Sequence, residues 1–120
     1  LGQNFLVDAH ILAAIVEAWV EGRYPSRAES WEAFIARVQD RLNALPRLGP
    51  DESIVVFTSA IPISIWVAMA LGAANDHILP LAGVMYNSAI TTFRLHDGVL
   101  LLFEFNGVPH LPDAALRSFR

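Results

Sequence analysis

The hydrophobic positions of this chain change period along its length, and each change marks an element. Between Val7 and Glu21, residues Leu12, Ile15, Val16, Trp19 and Val20 recur at three- and four-residue spacing. That period puts them on one helical face, with Asp8 as N-cap and Gly22 closing the far end. Trp31, Phe34, Ile35, Val38, Leu42 and Leu45 repeat the pattern and predict a second helix. It ends before Pro46, because proline cannot continue the backbone ladder. Ser26 and Glu29 have the S-x-x-E spacing of a capping box at its start.

The period is then lost. Ile54-Val55-Val56-Phe57 is an unbroken β-branched and aromatic run, which suits a strand buried on both faces. Pro62 fits the first turn of a third helix, running through Ile65, Trp66, Met69 and Ala70 to Gly72. Ile78 to Met85 reads either as a helical turn or as loop. Ala89–Leu95 and Val99–Phe105 flank His96-Asp97-Gly98, and Asp-Gly between two such runs signals a hairpin. After Pro109 the pattern predicts irregular chain or a last helical turn. The order ααβαββ defines an α/β fold, with helices packed on a small mixed sheet. Three strands make a thin sheet for a chain that is 54% hydrophobic. Ile54–Phe57 reads as a central strand with too few neighbours, so a strand is missing or a second chain supplies it.

Composition narrows the function classes. With 120 residues the chain is long enough for one domain and too short for two ordinary ones. No apolar run reaches the roughly 18–20 residues of a membrane span, and the start lacks the pattern of a signal peptide. The absence of cysteine removes disulfides and thiolate chemistry and agrees with a cytoplasmic protein. All eight basic residues are arginines, scattered along a chain of net charge −4. A nucleic-acid footprint needs them concentrated, so nucleic acid is not an expected partner. His10, His77, His96 and His110 show no metal-binding spacing, and neither a metal nor another cofactor is expected. The chain begins with Leu rather than Met, which suggests a processed or truncated product.

Several short motifs, in order, carry a resemblance. "AESWEAFIARVQDRL" has Glu29, Ser30, Phe34, Arg37 and Val38 in the spacing G-E-S-x-x-x-F-x-x-R-V. "VVFTSAIPI" stands where an apolar strand would end in S-H-G-G-V-I. "YNSAITTFRL" supplies Asn87, Ser88, Ile90 and Thr91 of an N-x-S-I/L-T strand. "FNGVPHL" supplies Asn106, His110 and Leu111 of a closing N-x-x-x-H-L. Over residues 28 to 111 the chain resembles the C-terminal part of the histidine phosphatase superfamily, the phosphoglycerate-mutase-like enzymes. The resemblance implies their three-layer fold and hydrolysis or transfer of phosphate monoesters through a phosphorylated histidine. It also implies that the single domain of residues 1–120 is incomplete. The family's R-H-G motif does not occur here, and its strand would be the natural neighbour of Ile54–Phe57. By the same alignment Ser59 occupies the position of the second catalytic histidine, and Ala60 and Ile61 replace the paired glycines. The acid-donor segment is not recognisable.

Thr58-Ser59-Ala60 is therefore the candidate phosphate-binding junction. Free N–H groups and the helix dipole converge on such a junction and suit an anion. Equally, Ser59 or Thr58 caps the helix and does nothing else. A nucleophilic role for Ser59 needs a base beside it. Glu29 is a weak catalytic candidate that capping also explains. Arg94 is placed to pair with Asp97 or an acidic partner, and Trp19, Trp31 and Trp66 fall on core stripes.

Two functions follow. One is a phosphatase-like protein whose partners are phosphate esters or inorganic phosphate, with this chain inactive by itself. The other is a non-catalytic interaction module derived from such an enzyme, forming a homodimer or strand-swapped oligomer through an exposed strand edge. An unrelated small α/β domain is the third reading.

Overall fold

A computed structural model describes residues 9–23 and 28–119, with side chains from residue 13 onward. Asp8, Ser26 and the side chain of His10 lie outside what is described. The chain divides into two compact units, residues 1–36 and 37–120.

In the first unit, α1 spans Ala9–Val20. It closes as its sequence predicts. Gly22 has φ 65°, and Arg23 N donates to Ala18 O at 2.9 Å while Gly22 N donates to Trp19 O at 3.0 Å. α2 begins at Trp31 and runs Trp31–Asp40. Its observed N-terminal hydroxyl is Ser30, whose Oγ accepts Ala33 N at 3.1 Å, the bond an N-cap serine makes. Trp19, Trp31 and Phe34 form an aromatic cluster, with Trp19 edge-on to Trp31 at 5.2 Å and 78°. Trp31 is buried, and Trp19 Nε1 donates to Glu29 O at 2.8 Å. The indole thus buries its ring and satisfies its one donor.

The second unit holds the rest. Beyond Asp40 the expected helix gives way to single turns, with Leu42 N bonding to Gln39 O and Leu45 N to Leu42 O. α3 spans Ala60–Leu71, followed by a 3₁₀ turn, Asn75–His77, and the short α4, Ile78–Gly83. β1 (Ile90–His96) and β2 (Val99–Gly107) form an antiparallel pair. Their two-residue turn has Asp97 at φ 48° and Gly98 at φ 76°, the type I′ geometry that follows the strands' own twist. A last 3₁₀ turn spans Ala114–Leu116.

α3 is the centre of this unit. Its Ser64, Ile65, Val67 and Ala68 are buried, and Ile65 and Ile78 have no solvent exposure at all. Trp66 meets Phe93 of β1 edge-on at 6.1 Å and donates Nε1 to Val38 O at 2.8 Å. The helix ends on Gly72 at φ 64°, with Ala73 N bonded to Ala68 O at 2.9 Å. A Cβ at Gly72 meets nothing within 4 Å, so substitution is opposed by left-handed backbone strain alone. Gly72→Ala is expected to cost about 1 kcal/mol, read as a lower urea midpoint with an unchanged slope.

The α/β class holds, but the expected mixed sheet does not form. Among the described residues the sheet is the β1–β2 pair alone. Residues 52–59 have no helical or strand assignment, and 53–58 make no backbone–backbone hydrogen bond among the described residues. The reason is the one the sequence raised. A strand is defined by its neighbour, and a β-branched run without one has no ladder to join. Its side chains stay in solvent, Val55 at 75% exposure and Phe57 at 94%.

Candidate functional site

The start of α3 lies in the second unit, where it forms one wall of an open cleft of about 90 Å³. Thr58, Ser59 and Ala60 line that wall. Tyr86, Asn87 and Ser88 line the opposite side, in the connection between α4 and β1. Two motifs that lie far apart in the sequence thus meet at one place.

Ser59 holds the N-cap position of α3, with φ −105° and ψ 173°. The capping expectation is correct for the backbone and incorrect for the side chain. Ser59 makes no side-chain cap bond, and its hydroxyl has no hydrogen-bond partner among the described residues. Its carbonyl does accept the first helical bond, from Ile63 N at 3.4 Å. Pro62, third in the helix, has no N–H. Ala60 and Ile61 therefore supply the free amide donors of the first turn. No charged side chain lines the cleft among the described residues. Its attraction for an anion rests on hydroxyls, amides and the N-terminal end of the helix dipole. Nothing described here takes a proton from Ser59 Oγ, so its hydroxyl is a hydrogen-bond donor rather than an activated nucleophile.

The facing wall is held by the other motif residues. Asn106, at φ 60°, accepts Tyr86 N through Oδ1 and donates Nδ2 to Val84 O, both at 2.8 Å. Its own N–H donates to Thr91 Oγ1 at 3.2 Å. Ser88, also at φ 60°, offers its carbonyl to His110 Nε2 at 2.8 Å. A carbonyl only accepts, so that nitrogen carries the proton. Asn87 is tied to the C-terminal segment, its N–H to Ser118 O at 2.8 Å and its Nδ2 to Ser118 Oγ at 2.9 Å. Tyr86 stacks on Phe119 at 4.4 Å. The Asn87–Ser88 and Asn106…His110 motifs together brace the loop that faces Ser59.

The remaining candidates stand elsewhere. Glu29 belongs to the first unit, where its carbonyl accepts the Trp19 indole. Arg94 does not pair with Asp97; its guanidinium lies 4.5 Å above the Phe103 ring. His77 pairs with Asp76 at 2.8 Å, and His96 approaches Asp97 at 3.4 Å, both exposed. No cluster of possible metal ligands occurs among the described residues.

Sequence reasoning missed that Asn87 and Ser88 line the same cleft as Ser59. The available signal was their position just before the β1 run, in a connection that must return to the sheet beside the preceding helix.

The architecture defines an α/β protein with a polar junction at the start of α3 facing a braced loop. The family model of the histidine phosphatase superfamily (branch 1) matches residues 8–106, and the chain belongs to that superfamily. No curated protein and no solved structure matches it. No helix among the described residues is long and apolar enough to cross a membrane.

Proposed function

We propose that this chain carries the phosphate-holding part of a histidine-phosphatase-type site acting on phosphate monoesters by hydrolysis or transfer. The observation that carries the reading is the unspent hydroxyl of Ser59 at the α3 N-terminus, facing Asn87 and Ser88 across the cleft. Thr58, Ser59 and the Ala60 amide hold the phosphoryl oxygens, and Ser59 stands where the superfamily has its second histidine. A serine there donates a hydrogen bond but brings no positive charge and no proton near neutral pH. Charge stabilisation in phosphoryl transfer is accordingly weak. The nucleophilic histidine comes from a strand carrying R-H-G outside residues 1–120, so this chain alone is inactive. The setting is cytoplasmic.

The test is hydrolysis of an aryl phosphate by this chain, by the product of the full upstream reading frame, and by Ser59→His in that longer product. The expected result is no turnover from the short chain and weak turnover from the long one. Ser59→His should raise kcat by roughly tenfold or more, the lower end of what a positioned acid–base group contributes. A long product carrying R-H-G that stays inactive with Ser59→His would sink the reading.

A second reading is favoured by a separate observation, the backbone of residues 53–58, which has no partner among the described residues. In it the protein is a phosphatase-derived module without catalysis that associates through this edge.

A further inference from the structure

Three consecutive residues of the cleft wall are each held by one short stretch of chain. Tyr86 pairs with Phe119 in an isolated antiparallel bridge, and their rings stack at 4.4 Å. Asn87 is bonded twice to Ser118, its N–H to the carbonyl oxygen at 2.8 Å and its Nδ2 to Oγ at 2.9 Å. The Ser88 carbonyl accepts from His110 Nε2 at 2.8 Å. Tyr86, Asn87 and Ser88 line the cleft, whereas His110, Ser118 and Phe119 do not.

The stretch that holds them is closed on itself. Arg117 Nε donates to Leu111 O at 2.9 Å and Nη2 to Pro112 O at 3.4 Å, so the guanidinium ties the two ends of residues 111–117 together. Between these ends Asp113 caps the 3₁₀ turn, its Oδ1 accepting Ala115 N at 2.9 Å. Residues 110–119 thus form a bracket with two arms. His110 is one arm, on Ser88, and Ser118 with Phe119 is the other, on Asn87 and Tyr86.

The wall needs this support. Ser88 sits at φ 60°, a left-handed conformation that a residue with a side chain keeps only where its surroundings hold it. Within the turn of residues 86–89 there is one backbone bond, Ala89 N to Tyr86 O at 3.3 Å. Asn106 secures Val84 and Tyr86, but it makes no hydrogen bond to Asn87 or Ser88. Those two residues depend on the bracket.

We propose that Ser118 is a positioning residue of the phosphate-holding cleft, acting through Asn87 to keep the Asn87–Ser88 wall facing Ser59. This deepens the phosphate-holding reading above and rests on it. A wall already in place leaves less ordering for the ligand to impose on binding. Coupling between two sites is reciprocal, so an anion in the cleft stabilises the bracket as the bracket favours the anion.

The test uses the full 120-residue chain with inorganic phosphate as the probe. Binding is followed by the NMR shifts of the Ser59, Ala60 and Ser88 amides, with chloride at matched ionic strength as the control. Phosphate should shift these amides and chloride should not. Ser118→Ala should raise the phosphate Kd roughly two- to tenfold, the weight of one side chain left for the ligand to order. Ser118→Thr, which keeps the hydroxyl, should bind as the parent does. A chain ending at Arg117 also lacks the Phe119 stack and should lose at least as much as Ser118→Ala.

Two exchange measurements separate a displaced wall from a weakened fold. In the parent, phosphate should slow solvent exchange at the Asn87 amide, as reciprocity requires. In Ser118→Ala, exchange at Ile65, buried in α3, should match the parent while the Asn87 side-chain amide resonances move.

An unchanged phosphate Kd in both Ser118→Ala and the shortened chain overturns the positioning role and leaves the phosphate-holding reading standing. Tighter binding in either variant also overturns it, since the bracket would then withhold Asn87 from the anion. Equal weakening by Ser118→Ala and Ser118→Thr removes the hydroxyl from the account and overturns the role given to Ser118. A parent whose Ser59, Ala60 and Ser88 amides ignore phosphate overturns the phosphate-holding reading and the coupling with it.

Discussion

Ile65→Ala is expected to lower the unfolding free energy of the second unit by about 2–5 kcal/mol, the range for removing a fully buried aliphatic side chain. Ile65 sits in α3 with no exposed surface, beside the buried Val67 and Ala68. Three heavy atoms are lost, and the cavity they leave cannot collapse freely, because Ser64 Oγ is fixed on Ala60 O at 2.8 Å on the same helix. Alanine's better helix propensity returns only about 0.4 kcal/mol. A small domain has roughly 5–15 kcal/mol in total, so the variant should lose a large part of its denaturant resistance. Urea unfolding followed by the fluorescence of Trp66, with Trp19 and Trp31 replaced by Phe in parent and variant alike, measures it. Ile65→Leu, which conserves volume, should cost less than about 1.5 kcal/mol. Equal losses for the two variants would show that α3 is not the packing centre of this unit.

Asn106→Ala is expected to cost about 2 kcal/mol and to disorder the loop that faces Ser59. The side chain holds Tyr86 N and Val84 O at once, and alanine leaves both without that partner. Alanine must also adopt φ 60°, a left-handed conformation that asparagine tolerates better. Asn106→Gly separates the causes, since glycine removes the strain and still lacks the amide. If Asn106→Gly matches the parent in urea, the hydrogen bonds contribute nothing. Asn106→Asp keeps an acceptor for Tyr86 N and loses the donor to Val84 O, so it should fall between the parent and alanine. Hydrogen exchange at Tyr86 should rise in the alanine and glycine variants, which ties the stability change to the loop itself.

Asn106 also marks how far motif spacing could be taken. The sequence placed Asn87, Ser88, Asn106 and His110 in the superfamily's pattern without saying what they do. They are braces: Asn106 and His110 hold the 84–88 connection, and Asn87 fastens it to Ser118. Spacing records which residues recur, whereas a hydrogen bond between residues 20 or more apart depends on how the hairpin returns to the helix. Ser59 shows the same limit. A serine before a helix reads as a cap, and the backbone takes that position, but the hydroxyl is left unspent. Side-chain torsion is set by surroundings rather than by the local string.

What the sequence determined by itself was local. The helix of Ala60–Leu71 with its glycine stop follows from apolar content and backbone preference within one short stretch. So does the Asp97-Gly98 hairpin, because a two-residue turn and its flanking strands need no distant partner. The closure of α1 at Gly22 has the same origin. Tertiary structure alone decided the rest. It joined the Ser59 junction to Asn87 and Ser88 in one cleft, a meeting of segments nearly thirty positions apart. It also decided the fate of Ile54–Phe57, whose composition specifies a strand but cannot supply the neighbour. A helix closes its hydrogen bonds within its own residues; a strand closes them only against another.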